Sequence, residues 1–544
     1  LTDVKRMSRK VTRCNFCMLQ WFCLRTTHRM KSSRLLLTPL SLFLLVLSTH
    51  AQQNTVGVLL QTESSYDGYT LMPVSASSNT YLLNNCGEVV NTWVSQYKAG
   101  MMAYLLPDGG LMRAGKTNNQ AFGAGGAGGI IEKFDWNGNL EWSYMISSQT
   151  QCQHHDIAVL PNGNVLALVW KAYPAEEWIA RGRNPELTTD VVWGTCVVEV
   201  MPDGATGGQV VWKWEAINHV MQDFDPELPN YGNPSDYPRQ LNVNYQASPN
   251  DPDWLHTNSI AYNAELDQIM ISSRDFNEFW ILDHSVPNQE TAGPDGHLMY
   301  RWGNPEAYGR GTTEDRILHS QHDARWIQDG QVMVFSNGNE RPDGYFSTVE
   351  VLTPPLNEDG SYNLSPNAPW GPEGTDWRYP SILDADFFSQ NTSGAQQLPN
   401  GNILITEGAS GEMREVTLDQ EIVWNYVNPV GSFGATEQGG NPILNGVFRA
   451  ERYPAAHPAL AGRTLTPSGV LEITDQPLQC ALYPEPSCKG DFDQDYLIEV
   501  DDLLALLTGF GCQAACEADL DSDGSVGISD LLVLLSGMGT TCPY

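Results

Sequence analysis

The feature that most constrains the fold is a short apolar-turn-apolar unit that recurs through the body of the chain. Each copy places Asp-Gly or Asn-Gly between two β-prone runs, which is the strongest short-range signal for a β-hairpin. The copies are LLPDGGLM (105–112), LPNGNVLAL (160–168), IQDGQVMVF (327–335) and LPNGNILIT (398–406). A turn followed by a Val- and Trp-rich strand, as in DWNGNLEWSY (135–144), alternates with them. Two alternating hairpin types predict an all-β fold, a β-propeller of about six four-stranded blades over residues 52–475.

The N-terminal 51 residues indicate export. Residues 30–51 (MKSSRLLLTPLSLFLLVLSTHA) join a basic head, an apolar core and a small-x-small cleavage site, which is typical of a signal peptide. The core, 35–47, is shorter than the roughly 20 residues that cross a bilayer, so we expect no membrane span. We interpret the basic stretch 1–29 as upstream mistranslation. The protein is therefore predicted to lie in the periplasm, at the cell surface or outside the cell.

The net charge indicates which partners the protein can bind, and the cysteine content indicates the compartment in which it folds. The formal net charge of −34 repels phosphate backbones, so we expect no nucleic-acid partner. Eight of the 11 cysteines follow the signal peptide, and an even number in an exported protein indicates disulfides. Four of them lie near the C-terminus and are predicted to staple a small module there: Cys488, Cys512, Cys516 and Cys542. The sequence does not reveal the pairing of the others.

Residues 488–544, after a linker at 476–487, differ in kind from the repeats. Two twelve-residue loops, 491–502 and 519–530, each carry Asp at positions 1, 3, 5 and 12. Carboxylates in this pattern surround Ca²⁺ with oxygen ligands. The predicted ligands are Asp491, Asp493, Asp495, Asp502, Asp519, Asp521, Asp523 and Asp530. Each loop runs into a Leu-rich amphipathic segment, so we expect a small α-helical, EF-hand-like module.

The paired loops resemble a dockerin-type repeat pair. That resemblance implies calcium-dependent folding and attachment to a cohesin-like or cell-surface partner. Position 6 is Gly524 in the second loop but Tyr496 in the first, which argues against strong binding at the first loop.

Two histidines share one register of the repeat. His155 lies eight residues before Gly163, and His322 lies eight residues before Gly330. Equivalent positions on the inner strands of a propeller converge on its central channel. The same count from Gly401 reaches Ser393.

A third histidine opens a similar strand. His256 and Asn258 lie in WLHTNSIAYN, and Arg274 follows the next apolar run. The three histidines and the arginine are therefore expected near one axis.

This combination allows three kinds of function. Three histidines can hold Zn²⁺, as in a metal-dependent hydrolase. A guanidinium instead matches an oxyanion, which favours transfer from an anionic ester with one imidazole as nucleophile and another as acid and base. In the third alternative, the histidines only hydrogen-bond between blades of a non-catalytic propeller that binds a ligand or a partner.

Five motifs together resemble the bacterial arylsulfotransferases over roughly residues 57–460. They are HHDI…LPNGN, WLHTNSIAYN…ISSR, QHDA…VFSNG, GAQQLPNGNILITEG and VFRAERY. The resemblance implies an exported six-bladed propeller that needs no catalytic cofactor and no nucleotide sulfate donor. Such an enzyme moves a sulfo group from a phenolic sulfate donor to a phenol acceptor through a sulfohistidine, with ping-pong kinetics.

The resemblance also implies roles for residues of this chain. His322 would be the nucleophile, and His256 and Arg274 would bind the sulfo oxygens. Asn258 would assist, and His155 would act as acid and base or as an oxyanion donor. Weaker matches to the family imply that Thr392, Ser393 and Tyr453 bind the substrate. The group that orients His322 is not evident from the sequence, and Asp323 is expected to point away from it.

Overall fold

The structure is a computed structural model, and it describes residues 54–382, 384–475, 480–482, 490, 492, 498–512, 516, 518–520 and 524–539. All of them belong to the compact unit Gln52–Tyr544. Several predictions lie outside the described residues: the upstream stretch 1–29, the signal peptide 30–51, most of the linker 476–487, and Asp491, Asp493, Asp495, Asp521 and Asp523.

The described residues are mostly strand with few helices. The first strands are β1 (Gly57–Gln61), β2 (Gly68–Pro73), β3 (Asn79–Asn84), β4 (Val89–Val94), β5 (Ala99–Leu105), β6 (Leu111–Lys116), β7 (Gly129–Phe134), β8 (Leu140–Met145), β9 (Gln151–Val159), β10 (Val165–Pro174), β11 (Val191–Asp203), β12 (Gly207–Glu215), β13 (Val220–Met221) and β14 (Leu241–Asn242). The others are β15 (Thr257–Asn263), β16 (Gln268–Ser273), β17 (Glu278–Asp283), β18 (Tyr300–Trp302), β19 (His322–Trp326), β20 (Val332–Ser336), β21 (Thr348–Leu352), β22 (Trp377–Tyr379), β23 (Gly394–Gln397), β24 (Ile403–Glu407), β25 (Glu412–Val416), β26 (Ile422–Val427), β27 (Val430–Gly431), β28 (Gly434–Ala435) and β29 (Glu451–Pro454). The α-helices are α1 (Ala175–Ile179), α2 (Val500–Gly509) and α3 (Ile528–Gly537).

Six antiparallel sheets form a six-bladed β-propeller, as the repeats predict. From the inner strand outwards, the blades are β29-β2-β3-β4 (blade 1), β5-β6-β7-β8 (blade 2), β9-β10-β11-β12 (blade 3), β15-β16-β17-β18 (blade 4), β19-β20-β21-β22 (blade 5) and β23-β24-β25-β26-β1 (blade 6). Both ends of the propeller sequence close the ring, because β29 joins the N-terminal blade and β1 joins the last one. The Asn-Gly turns lie where the sequence predicts them, and Gly163 and Gly401 have φ of 85° and 82°, which glycine adopts without strain.

One tryptophan on the fourth strand of every blade ties it to the next. Its indole N–H donates to a backbone carbonyl of the following blade at 2.8–3.2 Å. The tryptophans are Trp93, Trp142, Trp212, Trp302, Trp377 and Trp424. The last of them donates to the carbonyl of Asn85 in blade 1, which completes the ring. The Val- and Trp-rich repeat unit therefore marks the contacts between blades.

A second set of bonds joins the inner strands near the channel. Asp156 of blade 3 accepts from the Ile260 N–H of blade 4 at 3.0 Å. Ser259 of blade 4 accepts from Ala324 of blade 5 at 3.1 Å. Asp323 of blade 5 accepts from Ala395 of blade 6 at 3.0 Å. Because these bonds repeat, the residues just before the three acceptors occupy equivalent places: His155, Asn258 and His322. Ser393 lies two residues before the donor Ala395, as His322 lies two residues before the donor Ala324.

A buried layer of ion pairs crosses the channel next to these strands. The Arg449 guanidinium lies 2.9 Å from Asp156 and 3.0 Å from Asp323. Arg325 pairs with Asp323 at 2.8 Å and with Glu451 at 2.7 Å. As the sequence predicts, Asp323 does not orient His322; it bonds instead to Ala395 of blade 6 and pairs with Arg325 and Arg449.

Two disulfides lie among the described residues. Cys86 pairs with Cys480, and Cys512 pairs with Cys516. Cys152 and Cys196 are free and buried, so the even number of cysteines after residue 51 does not mean that all of them pair. No helix in the described ranges is long and apolar enough to cross a membrane.

The C-terminal helices follow the two Asp-rich loops in the same way. Asp502 and Asp530 are each the third residue of a helix. Each carboxylate accepts a backbone N–H from position 2 of its own loop: Phe492 at 2.5 Å and Leu520 at 2.7 Å. The two halves therefore share one local structure, as the tandem loops predict.

We expect replacement of Arg449 by Leu to lower the free energy of unfolding by about 3–5 kcal/mol, because it leaves buried carboxylates without their partner. Lys133→Ala removes a partly exposed ion pair with Asp108 and is the control, with an expected change below about 1 kcal/mol. Urea unfolding followed by tryptophan fluorescence measures both. Equal effects would contradict a structural role of the ion-pair layer.

Candidate active site

The structure brings the three predicted histidines together at one end of the channel. The rings of His155 and His256 lie 4.8 Å apart, centroid to centroid. The Phe448 ring lies 6.1 Å from the ring of His155 and 6.3 Å from that of His322, so it links them. In each of the three rings Nδ1 is held by the protein, and within the described residues no protein group bonds to Nε2.

His322 is the first residue of β19 and is 2% exposed. Its Nδ1 lies 2.7 Å from Oδ1 of Asn337. Burial lowers the pKa of His322 to about 3, and the positive charges of His256 and Arg274 act in the same direction. This imidazole is therefore neutral at neutral pH, as a nucleophile must be.

His256 precedes β15, and its pKa is shifted in the opposite direction to that of His322. Its Nδ1 lies 2.7 Å from Oδ2 of Asp253, which also accepts the indole N–H of Trp170 at Oδ1. Burial acts to lower the pKa of His256, but the Asp253 charge and hydrogen bond outweigh it and raise the pKa. The site thus pairs a neutral imidazole with one whose pKa is raised by a carboxylate, an arrangement that suits a nucleophile and an acid.

His155 lies in a bulge of β9 with a φ of 51°. Its Nδ1 is 2.9 Å from Nδ1 of His154, and burial lowers the pKa of both rings. A Cβ on Gly126 would lie 2.0 Å from Cε1 of His155. The glycine-rich segment 123–129 therefore does more than link strands, because Gly126 leaves room for this ring.

Arg274 is the first residue after β16. Its backbone N–H donates to the His256 carbonyl at 3.2 Å, and its side chain is 34% exposed and pairs with Asp275 at 2.6 Å. Its positive charge lowers the pKa of both His155 and His322. A guanidinium in this place can stabilise negative charge on an oxyanion held between the rings.

The other predicted residues are linked to the cluster through hydrogen bonds that involve the backbone. Asn258 is buried and donates to the carbonyl of Gln321, the residue before His322, at 2.7 Å. The Thr392 carbonyl accepts from Nδ2 of Asn337 at 3.0 Å. The Ser393 hydroxyl bonds to Ser389 and to the Gly408 N–H, so it holds the adjoining loops.

Tyr453 is not brought to the histidines. It lies beyond the ion-pair layer, accepts the Leu105 N–H at 3.0 Å and lines a cavity of about 760 Å³ at the opposite end of the channel. Tyr453 lies in β29, whereas Phe448 lies three residues before that strand. Phe448, in the same VFRAERY motif, is the residue that reaches the site.

Three site residues were missed by the sequence analysis: Asn337, Asp253 and Phe448. Asn337 directly follows β20, as Arg274 directly follows β16, so the first residue after the second strand of a blade faces the cluster. Asp253 precedes His256 by three residues. Applying the repeat register to the second strand would have found Asn337, whereas no pattern marks Asp253.

The fold and the site define a six-bladed propeller with a histidine–arginine centre suited to an anionic ester. The model of one family, "Arylsulfotransferase (ASST)", matches residues 46–353, which is more than half of the chain. The chain therefore belongs to the arylsulfotransferase family. This membership supports an aryl sulfotransferase activity in general, with aryl sulfates and phenols as substrates.

Other comparisons add no functional argument. No curated protein matches the chain. Among solved structures, a protein of unknown function from Bacteroides caccae is 11% identical, with a TM-score of 0.38 over 71% of this chain and 98% of that one. A virginiamycin B lyase from Staphylococcus aureus, crystallised with quinupristin as a catalytically inactive variant, is 11% identical, with a TM-score of 0.32 over 70% and 90% of the two chains. Periplasmic gluconolactonase of Pseudomonas aeruginosa is 13% identical, with a TM-score of 0.32 over 66% and 96%.

We expect Gly126→Ala to slow phenol release from an aryl sulfate by about 10²-fold, because displacing a positioned group by about 1 Å has an effect of this size. Gly125→Ala is the matched control, since a Cβ there meets no atom within 4 Å. Steady-state kinetics and circular dichroism of both variants test this. An equal loss of rate in the control would show that the whole loop, and not the His155 ring, responds.

Proposed function

We propose that this protein is an exported aryl-sulfate sulfotransferase that works through a sulfohistidine at His322, without a nucleotide sulfate donor. The observation that carries the proposal is the unequal partner of the two Nδ1 atoms: His322 is buried beside the amide oxygen of Asn337, whereas His256 lies beside the carboxylate of Asp253, which raises its pKa. Sulfo transfer needs both, because a neutral ring attacks and a protonated ring supplies the leaving group with its proton.

In the first half-reaction, the Nε2 lone pair of His322 attacks the sulfur of the aryl sulfate. The bond between sulfur and the phenolic oxygen breaks, and its electron pair goes to that oxygen. A phenol has a pKa near 10, so the departing oxygen takes the proton from Nε2 of His256. The products are a phenol, a neutral His256 and a sulfo group on His322.

In the second half-reaction, the same groups act in reverse. His256 takes the proton of an acceptor phenol, whose oxygen attacks the sulfur. The bond between sulfur and Nε2 of His322 breaks, and the ring recovers its lone pair. Donor and acceptor thus use one site in turn, which gives ping-pong kinetics.

The remaining groups suit the charge and shape of the substrate. The transferring group carries its negative charge on oxygen, as in phosphoryl transfer, and Arg274 and Nε2 of His155 can face those oxygens. Phe448 and Trp170 flank the histidine rings at 5.8–6.5 Å and give the site apolar walls that suit a phenol ring.

We further propose that residues 488–544 form a dockerin-like module that binds Ca²⁺. Asp519 accepts the Gly524 N–H at 2.8 Å, a bond that folds the second loop back towards its first carboxylate. Carboxylates gathered in this way fit a hard cation. Equivalent apolar residues stay exposed on the two helices, Leu504 with Leu532 and Leu507 with Leu535, which supports docking to a cohesin-like or cell-surface partner.

The function is tested with a chromogenic aryl sulfate and intact-mass analysis. We expect an acceptor phenol to accelerate release and one sulfo group to be trapped on the peptide that holds His322. His322→Ala should abolish the adduct and slow release by at least about 10³-fold, because it removes the nucleophile. His457→Ala, a half-buried histidine of the Tyr453 end, should leave both unchanged.

Other outcomes select other functions. A rate of phenol release that does not depend on the acceptor indicates a hydrolase. Loss of phenol release when a chelator is added indicates a metal-dependent enzyme. A wild-type protein with neither release nor adduct is a binding propeller.

We expect Ca²⁺ at about 100 times its Kd to stabilise the C-terminal module by about 2.7 kcal/mol and to leave the propeller unchanged. Asp530→Ala should remove this response because it takes away the position-12 carboxylate of the second loop. Calorimetry with calcium and with a chelator measures the two unfolding transitions separately. A module transition that does not depend on calcium would overturn the assignment.

A further inference from the structure

Asn337 is held by three hydrogen bonds at the heart of the site. It is fully buried, directly after β20. Its Nδ2 donates to the carbonyls of Ser389 at 2.7 Å and Thr392 at 3.0 Å, both on the loop that leads into β23. Its Oδ1 lies 2.7 Å from Nδ1 of His322. Both N–H groups of the amide are thus used, and its oxygen contacts His322.

These partners settle which way the amide faces. Backbone carbonyls only accept hydrogen bonds, so the NH₂ group must point at Ser389 and Thr392. The amide oxygen is left for His322, and an amide oxygen cannot donate. Nδ1 of His322 therefore carries the hydrogen, and the lone pair of the neutral ring lies on Nε2.

We propose that Asn337 is the positioning residue that fixes His322 as the Nδ1–H tautomer and keeps that hydrogen on the ring throughout the reaction. The inference rests on the proposed sulfotransferase function and deepens it. With Nδ1–H retained, attack through Nε2 leaves the sulfated ring positively charged. A cationic ring departs more readily from sulfur than a neutral ring, which favours transfer to the acceptor.

An amide suits this role, and a carboxylate does not. The charged and titratable groups that face His322 are His155, His256 and Arg274. The two charges that lower the pKa of His322, on His256 and Arg274, are both positive and disfavour a proton on this ring. At His256 the equivalent partner of Nδ1 is the carboxylate of Asp253, which raises the pKa of that ring. The choice of amide or carboxylate at the two Nδ1 atoms thus separates nucleophile from acid.

The test exchanges these partners. Asn337→Asp should raise the pKa of His322, so the ring is protonated at low pH and cannot attack. We expect kcat/KM at pH 6 to fall at least about tenfold, and to recover by about tenfold per pH unit as the pH rises towards the new pKa. Asp253→Asn should instead move the alkaline limb of the profile to lower pH, because His256 loses its proton earlier.

Asn428→Asp is the matched control. Asn428 is also buried and donates from Nδ2 to two backbone carbonyls, of Val430 at 3.1 Å and Asn445 at 2.6 Å, but it contacts no histidine. We expect this variant to change stability without moving either limb of the pH profile.

A second measurement does not depend on a variant. In wild-type protein labelled with ¹⁵N-histidine, His322 should show a directly bonded hydrogen on Nδ1 and none on Nε2. A hydrogen on Nε2, or an unchanged acidic limb in Asn337→Asp, overturns the positioning role. Absence of a sulfo adduct in the wild type would instead reject the sulfotransferase proposal, so the two failures are distinguishable.

Discussion

The architecture depends on hydrogen bonds that join each blade to the next. A sheet of four strands buries both faces only when neighbouring blades pack against it, so the ring must close for any blade to be stable. The indole N–H of one tryptophan per blade provides this connection, and Trp424 carries it across the seam to blade 1. Two of these six bonds, those of Trp212 and Trp424, are buried, where a carbonyl without a donor would be costly.

The position of the site follows from the second ring of contacts, nearer the axis. Asp156 and Asp323 follow the histidines in sequence, and both carboxylates bond across to the next inner strand and to Arg449. The histidines are thereby held at one level of the channel. The two residues of each His-Asp dipeptide thus have different roles: the aspartate joins the blades, and the histidine faces the candidate active site.

The sequence periodicity predicted the blades, the turns and the shared register of His155 and His322, because those features repeat. The periodicity did not predict a role for Asp253, since this carboxylate lies in a loop that does not repeat between blades. Its contact with His256 depends on the tertiary fold. Tyr453 shows the opposite error. A motif placed it near the site, but it lies five positions after Phe448, and it lines a cavity together with Arg449 and Glu451 of the ion-pair layer. Register along a repeat can be read from sequence, whereas depth along the channel requires the structure.

Protonation at this site is set by the neighbours of each ring and not by the histidines themselves. Burial alone would leave every imidazole in the channel neutral, as it leaves His154 and His155. One buried carboxylate, Asp253, reverses this for His256, and the charge that results then disfavours protonation of His322. The acid and the nucleophile therefore stabilise each other's charge states. A change at either Nδ1 partner is expected to alter both rings, so Asn337 and Asp253 act as one electrostatic unit spread over two blades.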